Sequence, residues 1–161
     1  MTREDLGVEG PVLDHLTDAI RNQEVIFRNT FPGMLGVRLT EAKPGYAAGT
    51  LEVGPSVLHP GGYAHGGALA GFGDTVAAWA TFPALKANET FTTIEFKTNF
   101  ISGVQGGSLF AEATSIHRGG RTMVLDVRIV TNDQDRRLVA IMVVTQAILR
   151  SKDPGREVPP T

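Results

Sequence analysis

Asp74 is the one ionisable side chain between Ala68 and Ala80, where its neighbours include Phe72, Val76, Ala77, Ala78 and Trp79. A carboxylate left unpaired in apolar surroundings is costly, and aspartate is a weak helix former, so its presence calls for a reason. One reason is structural: a core aspartate bonded to Thr75 or to nearby backbone. The other is chemical: a carboxylate with a raised pKa in an apolar pocket is a candidate general base or nucleophile. Just upstream, His65-Gly66-Gly67 places two residues without side chains where a helix begins. Free backbone N–H groups and the positive end of the helix dipole meet there, and glycine lets a ligand approach them closely. A tight turn that merely needs glycine has the same sequence. So does an oxyanion hole, a set of donors placed for a carbonyl that gains negative charge. With no cysteine and no Gly-x-Ser-x-Gly elbow in the chain, the two features together point to acyl transfer to water.

The elements that must position these groups follow from periodicity. Pro11 opens a stripe of Val12, Leu16, Ala19 and Ile20, followed by Ile26 and Phe27, which predicts an N-terminal amphipathic helix ending near Thr30. Val37–Thr40 and Tyr46–Val53 flank the turn Lys43-Pro44-Gly45 and read as a hairpin. Ala68–Ala80 is apolar all round at helical spacing, a helix buried on every side. After Pro83 the pattern is β. Phe91–Ile101 alternates, with Ile94, Phe96 and Phe100 on one face and Thr93, Glu95, Lys97 and Asn99 on the other. Ser108–His117, Arg121–Thr131 and Leu138–Leu149 follow after short Gly-rich or polar turns, so these four strands are expected to form an antiparallel meander. Leu138–Leu149, apolar on both faces in its first half, suits a central strand. An all-apolar helix must be covered, and a long antiparallel sheet curled around it does so.

The chain has 161 residues, which gives one domain over residues 11–150, a loose lead-in over 1–10 and a disordered tail over 151–161. Fifteen Lys and Arg against 17 Asp and Glu leave a net charge of −2, without the basic surplus of a nucleic-acid binder. No apolar run is long enough for a transmembrane helix, and no signal-peptide pattern opens the chain. The expectation is a soluble protein with no membrane partner, and the absence of cysteine is consistent with a reducing cytoplasm. His59 and His65 with Asp74 match no usual metal-ligand spacing, so no metal is expected.

The stretch His59-Pro60-Gly61-Gly62-Tyr63-Ala64-His65-Gly66-Gly67, followed by Asp74, resembles the signature of hotdog-fold acyl-CoA thioesterases of the phenylacetate-degradation type. Ile94–Ile101, Gly107–Ala113 and Gly120-Arg121 are similar too, so the resemblance runs from about residue 33 to 149. It implies an α+β hotdog fold and hydrolysis of an aryl- or medium-chain acyl-CoA, without a cofactor, since coenzyme A is part of the substrate. Asp74 then stands at the catalytic carboxylate and Gly66 at the amide that polarises the thioester carbonyl. His65 orients that loop. Thr93 stands where some relatives hold the attacking water, although its parity puts it on the polar face of its strand unless a bulge re-aims it. His59 departs from the family's Asn or Gln, and a neutral imidazole can donate to the carbonyl in its place. The phosphates of coenzyme A call for cations, and Arg118 with Arg121, and Arg136 with Arg137, lie in pairs on two hairpins. The resemblance also implies paired hotdogs with composite sites, a homodimer as the minimal active unit and a tetramer as a dimer of dimers. An independent estimate agrees: Gly66 and Asp74 are eight residues apart, about 12 Å along a helix axis, too far for one carbonyl to meet both. Two rivals remain: a non-catalytic acyl-CoA-binding module on the same fold, and a hydratase. The hydratase pairing of Asp and His within one loop–helix segment is not matched by His65-Gly66-Gly67.

Overall fold

The computed structural model describes residues 18–150. The expected lead-in, the first turns of the N-terminal helix with Val12 and Leu16, and the tail lie outside them. Within the described residues that helix is not continuous. A helical stretch over 18–21 breaks at Asn22, a four-residue helix α1 (Gln23–Ile26) follows, and a second short helix α2 (Phe31–Leu35) comes after a turn. Phe31-Pro32-Gly33, expected to end a helix, instead opens one, because proline is favoured in a first turn. Gly36, left-handed at φ 81°, ends it. Phe27 is buried against the core while Ile26, assigned to the same stripe, is exposed.

Six strands form one antiparallel sheet: β1 (Arg38–Lys43), β2 (Tyr46–Glu52), β3 (Glu89–Phe100), β4 (Ser108–Arg118), β5 (Thr122–Thr131) and β6 (Leu138–Arg150). The long helix α3 (Gly66–Thr81) packs in its concave face and touches every strand. This is the wrapped-helix α+β arrangement expected from the sequence. Inward residues of the strands, among them Leu51, Leu109, Leu125, Ile129 and Met142, close over Phe72, Val76 and Ala77 of the helix. Met142 sits so close to Gly73 that a β-carbon there would fall 2.2 Å from its sulfur.

The strand order, β1-β2-β4-β5-β6-β3, corrects the expected four-strand meander. Of these four, only β4, β5 and β6 follow one another; β3 crosses to the far side and, among the described residues, pairs with β6 alone and leaves its other edge free. β6 is thereby central, as its two apolar faces predict. Coverage of α3 is also incomplete. Gly67, Ala70, Gly71, Asp74 and Ala78 retain exposure along one helical stripe, so the helix is buried on all sides but one.

The start of β3 is fastened by Glu89, whose side chain is only 2% exposed. It accepts the Lys86 N–H at 3.0 Å and pairs with Arg118 of β4 and Arg150 of β6, both at 3.3 Å. The backbone N–H of Lys86 first, and the two arginines with it, hold the carboxyl below its ordinary pKa against the opposing effect of burial. A lowered carboxyl pKa adds stability that is complete above the ordinary glutamate value, about 4.3, and is lost as pH falls through the lowered value. Glu89→Gln is expected to cost about 1–2 kcal/mol at pH 7, because both arginines stay partly solvated. Urea titrations of the two proteins should converge only as pH falls through that lowered value.

Candidate active site

Two turns set the loop that leads into α3. After a 3₁₀ turn at Pro55–Val57, Leu58 and Ala64 form a β-bridge, and Gly62, at φ 79°, closes the turn between them by donating its N–H to the His59 carbonyl at 2.9 Å. His65 N–H donates to Val57 and Ala64 N–H to Val104, which ties the loop to the body. Within this frame His59 and His65 repeat one local arrangement: each Nδ1 accepts the backbone N–H two residues on, from Gly61 and Gly67, at 2.9 Å. Accepting at Nδ1 puts the proton of each neutral ring on Nε2. The two rings lie 6.5 Å apart, and Tyr63 stacks on His59.

His65 is the N-cap of α3. Its side chain takes the Gly67 N–H, and its carbonyl takes those of Ala68 and Leu69. Of the first-turn amides, Gly66 N–H is left without an acceptor among the described residues. A single free amide at the positive end of a helix is a donor for an anionic or polarised oxygen. A β-carbon at Gly66 would fall 3.0 Å from Cζ of Phe100, so a half-exposed aromatic ring lies against this amide.

Asp74 is half-buried in the open stripe of α3. Thr75, its candidate structural partner, instead donates to the Gly71 carbonyl at 2.7 Å. Asp74 Oδ1 accepts from the Thr93 hydroxyl at 2.9 Å. The opposite parity of Thr93 is undone by a bulge: the β3–β6 register slips between Thr93 and Glu95, so that Thr93 faces inward-pointing Gln146 and Glu95 faces outward-pointing Thr145. Glu95 accordingly accepts from Thr145 on the outer face. Burial pushes the Asp74 carboxyl above its ordinary pKa, and the Thr93 hydrogen bond pulls the other way without cancelling it.

Gln146 is absent from the candidates drawn from sequence. It is fully buried, with Nε2 3.4 Å from Thr93 Oγ1. The signal available was its place as the one polar side chain in the inward row Met142, Val144, Gln146, Ile148.

The four arginines are not brought together. Arg118 and Arg121 lie at the end of the sheet where α3 finishes: Arg118 donates to the Ala84 carbonyl as well as pairing with Glu89. Arg136 and Arg137 lie at the opposite end, where β5 leads into β6. Arg136 stacks over Phe110, and Arg137 reaches the Gly103 carbonyl at 3.4 Å, beside Tyr63 and the histidine loop. The aromatic residues considered for an acyl pocket also divide. Phe72 is core, whereas Trp79, Phe82 and Phe91 are partly or largely accessible. Two concavities of the single chain, of about 450 and 390 Å³, are lined by neither Asp74 nor Gly66.

The chain matches the model of the thioesterase superfamily over residues 61–137, which spans the second half of the histidine loop, α3 and the three strands β3, β4 and β5. It is 33% identical over 101 residues to the acyl-coenzyme A thioesterase PaaI of Escherichia coli, covering 62% of this chain and 70% of that protein. It is 27% identical over 118 residues to the 1,4-dihydroxy-2-naphthoyl-CoA hydrolase of Listeria monocytogenes, covering 73% and 94%. In structure it is similar to a thioesterase from Haemophilus influenzae, with a TM-score of 0.77 at 20% identity over 85% of this chain and 94% of that one, a likeness of fold. A half-buried carboxylate and a free helix-start amide on this wrapped-helix fold thus occur in a chain that belongs to the thioesterase superfamily, as a thioester hydrolase of hotdog architecture.

Proposed function

We propose that the protein hydrolyses an aryl- or medium-chain acyl-CoA to the free acid and coenzyme A, with two copies of the chain building each site. The observation that carries this reading is the pairing of Asp74, tied to Thr93, with the unoccupied donor at Gly66 on the same helix. The thioester carbonyl oxygen accepts from Gly66 N–H, helped by the Nε2–H of His59, while His65 holds the loop in register. Asp74 takes a proton from the attacking water or attacks the carbonyl itself, and Thr93, holding Oδ1, leaves Oδ2 for that contact. The C–S bond breaks, coenzyme A leaves as the thiol, and water supplies the new carboxyl oxygen and the thiol proton. For the phosphates of coenzyme A we assign Arg136 and Arg137, which adjoin the histidine loop. Arg118, engaged with Glu89, and its neighbour Arg121 would meet only a ligand that reaches the other end of the sheet.

The need for a second copy rests on distance and on exposed surface. Gly66 and Asp74 sit on one unbroken helix, about 12 Å apart along its axis. Neither of the two concavities described above joins them. The free edge of β3, with Ile94, Phe96 and Phe100 exposed, and the open stripe of α3 are surfaces a monomer would leave wet. Isologous pairing about a two-fold axis covers them and brings the Asp74 of one copy to the Gly66 of the other, twice.

Three outcomes test the reading. Asp74→Asn is expected to fold and bind acyl-CoA but to lose at least ~10²-fold in turnover, the low end for removing a general base. Thiol release from a panel of acyl-CoAs measures it, and retention of most wild-type activity on the best substrate rejects the assignment. The second outcome concerns pH. The carboxylate must be ionised to act, so kcat/KM should fall with pH through the raised pKa of Asp74, above the ordinary aspartate value of about 3.9. A profile flat down to pH 4 on folded enzyme contradicts a buried base. Finally, Asp74→Asn and Gly66→Pro, each inactive alone, should complement when co-expressed. Proline is tolerated in a first helical turn and removes the amide, and the half-exposed Phe100 ring has room to yield. Random pairing makes half the dimers mixed with one intact site of two, so activity should return to roughly a quarter of wild type. Confirmed mixed dimers without activity place the site within one chain.

A further inference from the structure

We propose that Gln146 is a positioning residue for the hydrolysis: its buried amide commits the Thr93 hydroxyl proton to Asp74 and so leaves one carboxylate oxygen for the reacting water. The inference rests on the reading of Asp74 given above. Ala140, Met142, Val144, Gln146 and Ile148 form the inward row of β6, and Gln146 alone among them is polar. Its Oε1 is buried without a hydrogen-bond partner among the described residues. A half-satisfied amide weakens a core that a methionine of similar size would fill, so stability gives no reason for it. The reason lies at its other end, where Nε2 faces Thr93 Oγ1 at 3.4 Å.

The direction of each bond is fixed by the groups themselves. A carboxylate can only accept, so Thr93 spends its one proton on Asp74 Oδ1. The atom facing the remaining lone pairs of Thr93 must then be a donor, which requires Nε2 there and sets the amide orientation. Without that donor the hydroxyl is a free rotor. With it, rotation away from Asp74 breaks two hydrogen bonds. The chain Gln146–Thr93–Asp74 therefore spans three elements, β6, β3 and α3. The charged groups on the elements around Asp74 do not bear on it. Glu89 is spent on Arg118 and Arg150, Glu95 faces Thr145 on the outer side, and Asp126 pairs with Arg128. Within its own chain, its surroundings act through burial and Thr93 alone.

The test compares Gln146→Met, Gln146→Glu, Thr93→Val and the Gln146→Met/Thr93→Val pair with wild type. It combines kcat and KM from thiol release with titration of the Asp74 carboxyl by ¹³C NMR. Gln146→Met should melt no lower than wild type, lose about 10-fold in kcat with KM within about 2-fold, and raise both the Asp74 titration and the acid limb by about half a unit. Gln146→Glu turns the Thr93 proton away from Asp74 and should do more of each; it serves as the readout should the methionine variant not fold. On the Thr93→Val background the methionine substitution should change nothing further, since the amide acts only through the hydroxyl. An unmoved Asp74 titration in either folded Gln146 variant, or an effect that persists on Thr93→Val, overturns the relay. Asp74→Asn, assayed in parallel, separates the two failures: if it stays active the carboxylate reading falls, whereas the NMR titration still decides the relay.

Discussion

An apolar helix inside a sheet strips part of the water from its carboxylate, and the carboxylate must then be met by a donor from the sheet. That constraint shapes the molecule around Asp74. The donor is Thr93, and it reaches Asp74 because β3 leaves β4, crosses to the far edge and pairs with β6. Had β3 paired with β4, it would have interrupted the run from β2 to β6 that covers the other side of the helix. The one-residue bulge at Ile94 then turns Thr93 inward. A hydrogen bond to a charged group is worth about 1.5–3 kcal/mol, and desolvation of a carboxylate costs more when burial is deep. The Asp74 carboxyl is displaced upward, so desolvation outweighs the threonine and the group stays a better base than a solvated aspartate.

At the helix start the logic is reversed, since there donors are in excess and acceptors scarce. His65 removes three of the first four amides from competition, one with its ring and two with its carbonyl. Among the described residues the result is a single unengaged N–H in this first turn, at Gly66, on a loop fastened by backbone bonds to Val57 and Val104. An acceptor that arrives there displaces no internal hydrogen bond. Rigid support around one open donor is the arrangement electrostatic catalysis asks for, because no reorganisation is needed when charge develops.

Much of this was legible in the residues. Asp74 stands out as a charge in an apolar stretch, and His65-Gly66-Gly67 marks a helix start stripped of side chains. Four long alternating segments announce a sheet. What alternation does not carry is the partner of each strand: the pattern of β3 is the same beside β4 as beside β6, so the meander was the simplest reading and the wrong one. Nor does alternation show a bulge, which resets parity without any distinctive residue; Ile94 is an ordinary strand former. Gln146 was visible as a single amide in an apolar row, but its meaning depends on the neighbour across the ladder, Thr93, which the alternation does not supply. The arginine pairs looked alike because each sits on a hairpin, but successive hairpins of an antiparallel run turn at opposite ends of the sheet, so the two pairs do not meet. The N-terminal helix failed locally, with Asn22 interrupting it and proline restarting it.

The crossing of β3 also orders the chain in time. Thr93 and Gln146 are 53 residues apart, and Glu89 and Arg150 are 61 apart, so β3 has no ladder partner until β6 has been made. Contacts that close loops of this length are slow to form, because the entropy of closure is lost before the pairing repays it. During synthesis the helix and its glycine start emerge early, and β1 and β2 can pair at once, but the threonine that meets Asp74 waits for the final strand. Until then a strand carrying Ile94, Phe96 and Phe100 has both edges open, the state most prone to wrong partners. The Asp74–Thr93 contact is therefore completed only by the last β-strand of the described residues, and a chain interrupted before β6 would display the free Gly66 amide while Asp74 lacked its threonine.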